Sequence, residues 1–301
     1  MKKFTIVTCI YNSSPGSRMG GRGYGFYHYL APFTNLLNIG ANIHVFTDPV
    51  IGEQLGNFFE EHNFGDYKID IYDLNQYRHS DKIYKIKEEL GIINNLGLAD
   101  EVQYFRNDRN HHICLSKVDF LLKSIDTSNF NTKYTFWVDG GLFDHGLIPE
   151  TLGGMERLRP PDEQRLWPNN TYAISNPDFF PKLINKTSHG LVLLGLANYH
   201  SRPLALNKFF KSDKVAHIVG GLFGGENSLL ESFCKEFQGT VDCLFEDNLL
   251  YLEEEILSGV FADKFLDQGF LPFTHWSHDR PEEPNWLEAP PGSDSFYKLF
   301  L

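Results

Sequence analysis

Residues Phe4-Thr5-Ile6-Val7-Thr8-Cys9-Ile10 form a short apolar run that is rich in β-branched side chains. A run of this kind predicts a buried β-strand. The polar and glycine-containing stretch that follows, 11–16, predicts that the strand ends in a loop. The fold prediction starts from this strand, because the same pattern returns further along the chain.

Strands and helices alternate after this first run. Two more strands are predicted at 43–47 and 67–72, and the spacing of apolar residues at 27–37 and 50–62 predicts helices between them. Such alternation is typical of a parallel α/β sheet. We therefore predict an α/β fold with a Rossmann-like, mostly parallel central sheet flanked by helices.

The second half continues in the same way. Strands are predicted at 134–138, 190–196, 217–223 and 270–276, and helices at 113–125, 227–237 and 248–261. We expect one domain over 1–301, in which 1–145 and 146–280 form two halves and 281–301 is a tail. No repeat or linker indicates a second domain.

Composition and charge narrow the classes of partner. The chain has 27 Lys and Arg against 39 Asp and Glu, a net charge of −12, and no dense basic stripe, which argues against nucleic acid. The four cysteines form no Cys-x-x-Cys pair, so we expect reduced thiols in a cytoplasmic protein. No apolar stretch approaches the roughly 20 residues of a membrane-spanning helix. We expect no transmembrane segment, and peripheral membrane contact and oligomeric state stay open.

A glycine-rich loop follows the first strand. Gly20-Gly21-Arg22-Gly23-Tyr24-Gly25 lacks the Gly-x-Gly-x-x-Gly register of a dinucleotide-binding loop and lies some distance from the strand. The glycines therefore give only weak support to an NAD-dependent enzyme, which we keep as a less favoured alternative. We expect Arg22 to meet a phosphate group from this loop.

A carboxylate stands directly after the strand at 134–138. Asp139 precedes Gly140 and Gly141. Ligands of open α/β sheets bind beyond the carboxyl ends of the strands, where a carboxylate can hold a divalent cation beside a diphosphate. The alternative is an ordinary turn aspartate, since Asp-Gly pairs favour turns.

A second glycine-rich stretch, 217–225, combines an apolar strand with four glycines. Small residues here would give a flat wall against which a bulky ring can lie. Tight packing between strands or a β-bulge is the alternative explanation.

An acidic run lies in the helix predicted at 248–261. At about 100° per residue, Glu253 falls on the apolar face, whereas Glu254 and Glu255 flank it. A carboxylate on an apolar face is costly unless it is paired or functional. A solvated acidic face is the alternative.

Two histidines lie three residues apart near the end of the chain. His275 and His278 could contact a metal ion or a phosphate if a turn forms there. Surface histidines are the alternative.

The order of these features resembles that of GT-A glycosyltransferases. The stretch from Ser116-Lys117 through Asn129-Phe130-Asn131-Thr132 to Phe136-Trp137-Val138-Asp139-Gly140-Gly141-Leu142 is similar to HtrL/YibB-type bacterial glycosyltransferases. The resemblance implies transfer of a hexose-type sugar from a nucleotide sugar, expected to be UDP-linked, to a glycan acceptor such as a cell-surface polysaccharide or a lipid-linked precursor. It places the donor in 1–145 and the acceptor in 146–280.

The resemblance also implies roles for individual residues. Asp139 corresponds to the first carboxylate of an Asp-x-Asp metal motif and Gly141 replaces the second, so Mn²⁺ or Mg²⁺ would recruit His275 or His278. The expected catalytic residues are Asp139, Glu253 and Glu254. The expected nucleotide-sugar-binding residues are Thr8, Tyr11, Arg22, Asp48, Lys117, Asp139, Gly140 and Gly141, and the expected acceptor-binding residues are Gly220, Gly221, Phe223 and Gly224. A non-catalytic carbohydrate-binding protein on the same fold is the main alternative.

Overall fold

The computed structural model describes ten stretches of the chain: 4–11, 36–37, 39–83, 85, 108–139, 180–181, 184–185, 190–195, 218–251 and 253–265. Within them, strands are β1 (Phe4–Ile10), β2 (Asn42–Thr47), β3 (Tyr67–Ile71), β4 (Tyr134–Val138), β5 (Leu191–Gly195) and β6 (Ile218–Glu226). Helices are α1 (Pro49–Glu61), α2 (Asp108–Thr127), α3 (Asn227–Glu246) and α4 (Glu253–Val260). A 3₁₀ turn lies at Leu74–Gln76, and a π-helical turn at Phe261–Phe265 follows α4.

The strands form one sheet in the order β3-β2-β1-β4-β6-β5. β3, β2, β1 and β4 pair in parallel, whereas β6 is antiparallel to both of its neighbours. The prediction of a mostly parallel sheet flanked by helices is therefore confirmed. Strands β1 and β2 are buried on both faces, as is typical of the inner strands of a parallel sheet, and in β2 this burial includes the polar residues Asn42, His44 and Thr47.

Apolar side chains pack on both faces of the sheet. On one face, α2, α3 and α4 cover a cluster that includes Phe46, Phe120, Trp137 and Phe233. The rings of Phe46 and Phe120 stack with centroids 4.5 Å apart. On the other face, α1 covers a cluster that includes Phe4, Phe59, Phe136 and Phe180. This three-layer arrangement fixes where each strand ends.

The boundaries of the last two helices differ from the prediction. Helix α3 continues well beyond 237 to Glu246, and Asn248, just after the cap residue Asp247, has a left-handed φ of 55°. The amide of Asn248 donates to Phe245 O and that of Leu249 to Leu244 O, which is the Schellman pattern of helix ends. The prediction that a helix begins at 248 was therefore wrong, because this asparagine closes the preceding helix and α4 starts only at Glu253.

Several predictions fall wholly or mostly outside the described residues. These are the helix at 27–37, the strand at 270–276 and the tail at 281–301. The four cysteines are described and carry free thiols, with Cys114 and Cys234 buried and Cys243 exposed. Among the described helices, none combines the length and apolar character required to cross a membrane.

Candidate functional site

The order in which strands are added to the sheet reverses between β1 and β4, although these two strands are parallel. Strands β2 and β3 lie on one side of β1, and β4 lies on the other. Because β1 and β4 are parallel, their carboxyl ends, Ile10 and Val138, face the same edge of the sheet. Ligands of open α/β sheets bind in the crevice outside such a switch point. Asp139 follows Val138 there, and its amide donates to Gly221 O on β6 at 2.8 Å.

The side chain of Lys117 joins four elements at this edge. It comes from α2, and its Nζ lies 3.0 Å from Asp139 Oδ1 after β4 and 2.6 Å from Glu253 Oε1 at the start of α4. It also donates to Gly220 O on β6 at 3.0 Å. An ammonium has three N–H donors, and three protein groups accept from this one. Lys117, Asp139, Gly220 and Glu253 are called the Lys117 cluster below.

Lys117 is held as a buried cation. Its side chain is 5% exposed. Burial by itself lowers the pKa of Lys117, but the carboxylates of Asp139 and Glu253 outweigh it and raise this pKa well above its ordinary value. Its ammonium also lies 5.6 Å from the centroid of the Trp137 ring, within the range of a cation–π contact.

Asp139 is the exposed member of the cluster. Its side chain keeps 39% of its surface accessible, whereas those of Lys117 and Glu253 keep 5% and 4%. Trp137 Nε1 donates to Asp139 Oδ1 at 2.7 Å, because residues two apart on a strand point to the same face. Desolvation raises the pKa of Asp139, Lys117 lowers it and Glu253 raises it, with a net rise.

Glu253 and Glu254 approach β6 from the first turn of α4, where acidic residues favour the helix dipole. Glu253 is buried, as the predicted helical face required. A Cβ on Gly220 would lie 2.3 Å from Glu253 Oε1, so the carboxylate occupies the space of the missing side chain. Glu254 is partly exposed and its Oε1 accepts the amide of Gly220 at 3.1 Å.

For three predicted nucleotide-binding residues, Asp48, Tyr11 and Thr8, the structure shows the following hydrogen bonding. Asp48 caps α1, its Oδ1 accepting the amide of Ile51 at 3.0 Å. Tyr11 donates its hydroxyl hydrogen to Tyr72 O at 3.2 Å. The Thr8 hydroxyl is buried without a hydrogen-bond partner among the described residues.

The predicted glycine wall is buried: Gly220, Gly221, Phe223 and Gly224 are all enclosed. Phe223 is fully buried, and a Cβ on Gly224 would lie 2.3 Å from Thr135 O on β4. Both residues lie in tight strand packing, as the alternative explanation expected, and the prediction that Phe223 and Gly224 contact an acceptor stays a prediction. Gly220 and Gly221, in contrast, contribute backbone groups to the site.

Cys9 and Trp137 are site residues that the sequence analysis missed. The parallel register that pairs Val7 of β1 with Trp137 of β4 continues toward Cys9 and Asp139, two residues further along each strand. Desolvation raises the pKa of the Cys9 thiol, and the charge of Asp139 raises it further. The available signal was strand alternation, since Val7, Cys9 and Tyr11 share the face that Trp137 occupies on β4.

Five predicted site residues lie outside the described residues: Arg22, Gly140, Gly141, His275 and His278. Within the described stretches, no group of three or more His, Cys, Asp or Glu side chains is placed to hold a metal ion. The predicted metal site, which includes His275 and His278, stays a prediction.

The chain matches no family model and no curated protein sequence. Among solved structures, it is similar to 4-diphosphocytidyl-2C-methyl-D-erythritol synthase from Anaerococcus prevotii, with a TM-score of 0.43 and 7% sequence identity. The alignment covers 91% of this chain and 88% of that chain. A likeness this weak adds no argument about function.

Proposed function

We propose that the chain is a nucleotide-sugar-dependent glycosyltransferase of GT-A-like fold. The resemblance of 116–142 to HtrL/YibB-type proteins motivates this proposal. The observation that carries it is the convergence of Lys117, Asp139 and Glu253 at the carboxyl end of β4, where the strand order reverses. A buried, hydrogen-bonded charge cluster at such a position is typical of functional sites.

The charges of the cluster indicate which part of the donor it binds. With both carboxylates ionised, one ammonium and two carboxylates sum to a net charge of −1. Asp139 is the member that reaches solvent, so a ligand meets a carboxylate first. A carboxylate accepts hydrogen bonds from hydroxyl groups and repels phosphates. In this proposal Asp139 holds hydroxyl groups of the donor sugar or ribose, and Arg22 meets the diphosphate.

Glu253 and Glu254 have different roles in this proposal. Glu253 is buried against Lys117 and acts through it, which makes it a positioning residue for Asp139. Glu254 keeps part of its surface exposed and is anchored through one oxygen to the Gly220 amide. The proposal therefore makes Glu254 the general base, which would accept the proton of the acceptor hydroxyl.

A divalent cation does not fit the described residues as they stand. Both carboxylate oxygens of Asp139 lie within 3.2 Å of Lys117 Nζ, and Glu253 faces the same ammonium. A metal ion bound there would be repelled by that positive charge. No step of this proposal uses a metal ion.

The test is donor hydrolysis by the purified full-length chain. Release of nucleoside diphosphate is measured for a panel of nucleotide sugars with water as the acceptor. Asp139→Asn preserves shape and should lower the rate about 100-fold or more, the usual loss for one preorganised polar group. Asp242→Asn is the matched control. The Asp242 carboxylate, like that of Asp139, contacts two side chains, here Arg78 and His79, but it lies outside the Lys117 cluster.

Three outcomes would contradict the proposal. Full activity of Asp139→Asn removes that residue from the site. Glycan binding without turnover of any donor favours the carbohydrate-binding protein. Thermal stabilisation by NAD but not by UDP favours the dinucleotide enzyme.

A further inference from the structure

Among the described residues, the groups that accept hydrogen bonds from the Lys117 ammonium all do so through oxygen atoms, and these oxygens form a shell around it. Asp139 Oδ1 and Oδ2 lie 3.0 and 3.2 Å from Nζ, Gly220 O lies at 3.0 Å and Glu253 Oε1 at 2.6 Å. Carboxylate and backbone carbonyl oxygens are also the ligands that hard divalent cations prefer. The shell is therefore a cation site by its chemistry, and a side chain of the protein fills it.

The aliphatic part of the Lys117 side chain is buried and holds the ammonium inside the protein. Helix α2 packs on the sheet, and the lysine side chain passes beside the Trp137 ring and ends 5% exposed. Three donors and three acceptor groups match, so no N–H of this ammonium is left for a ligand. The cation is thus a fixed part of the structure and not a mobile surface charge.

The surrounding chain leaves little space for a second cation among these oxygens. Glu253 Oε1 already fills the volume where residue 220 would carry a Cβ. Trp137 Nε1 takes a further lone pair of Asp139 Oδ1 at 2.7 Å. A metal ion at Asp139 would have to displace the ammonium or remain beside it.

We propose that Lys117 is the resident cation of this site and takes the position between Asp139 and Glu253 that a divalent metal ion would otherwise occupy. These two carboxylates then need no metal ion for their neutralisation. The inference concerns the site on which the proposed function rests. Its test measures cation binding and not turnover, so either can fail while the other stands.

The experiment is a titration of the full-length chain with Mn²⁺, in which free Mn²⁺ is followed by electron paramagnetic resonance. Wild type and Asp139→Asn should bind Mn²⁺ equally, within about twofold, because Asp139 is already neutralised. Lys117→Ala vacates the shell and should gain a site about tenfold tighter than any in the wild type. Adding Asp139→Asn to Lys117→Ala should abolish that site.

Lys235→Ala is the matched control. It removes the lysine of an exposed ion pair with Glu231 on α3 and should gain no Mn²⁺ site. The proposal is overturned if Asp139→Asn weakens Mn²⁺ binding by the wild-type chain about tenfold, or if folded Lys117→Ala gains no site. Should Lys117→Ala fail to fold, as judged by circular dichroism, the comparison of wild type with Asp139→Asn still decides.

Discussion

Replacing Gly220 with alanine tests whether the Glu253 carboxylate is confined as the structure shows. The added Cβ would lie 2.3 Å from Glu253 Oε1, whereas ordinary contacts begin at 3.4 Å. The carboxylate must therefore retreat by about 1 Å, which stretches its 2.6 Å contact with Lys117 Nζ beyond hydrogen-bond length. A hydrogen bond to a charged group contributes about 1.5–3 kcal/mol, and replacing glycine returns about 0.4–1 kcal/mol.

The net expectation for Gly220→Ala is a loss of about 1–2 kcal/mol in the free energy of unfolding. With an unfolding entropy of about 2.1 cal/mol/K per residue, this lowers the Tm of a 301-residue chain by about 2–3 °C. Urea denaturation and calorimetry measure both quantities. In a Glu253→Ala background the carboxylate is gone, and the same substitution should cost nothing.

Gly239→Ala is the control for this measurement. Gly239 lies in α3 with nothing within 4 Å of an added Cβ, so alanine there should be neutral or stabilising. The reasoning is refuted if Gly220→Ala behaves like Gly239→Ala, or if its cost is the same with and without Glu253.

Two further predictions concern residues away from the cluster. Asp48→Ala should lower the free energy of unfolding by about 1 kcal/mol because it removes the cap of α1, whereas Asp48→Ser keeps a capping oxygen and should restore most of it in urea denaturation; equal stability of all three proteins would contradict the capping role. Burial lowers the pKa of His44 from 6.5 to about 4, so between these pH values the unfolded chain binds a proton that the folded chain does not. The free energy of unfolding should therefore fall as the pH drops from about 6.5 to about 4, by at most about 3 kcal/mol, and His44→Phe should lack this part of the pH dependence when urea titrations at several pH values are compared.

The strands and the position of Asp139 could be predicted because the signals are local. β1 and β4 are mostly apolar runs, and the rule for parallel sheets places a residue after β4 at the ligand edge. Burial of Glu253 was also visible, since helical periodicity alone puts it on the apolar face.

The partners of these residues could not be predicted in the same way. Lys117 contacts groups 22, 103 and 136 positions away, and no periodic pattern relates such distant positions. The direction of β6 is likewise absent from its composition, because an apolar glycine-rich run fits parallel and antiparallel pairing alike. The start of α4 was missed because the left-handed backbone of Asn248 depends on how α3 ends.

The opposed direction of β6 brings chain connections together in space. The last residues of β1, β4 and β5 and the first residues of β6 all lie at one edge of the sheet. The connections that leave β1 after 11, leave β4 after 139 and join β5 to β6 through 196–217 therefore depart from, or return to, this edge. New segments introduced at these strand ends would extend from one edge of the sheet and leave the strand ladder, with its hydrogen bonds and apolar layers, as an unaltered scaffold.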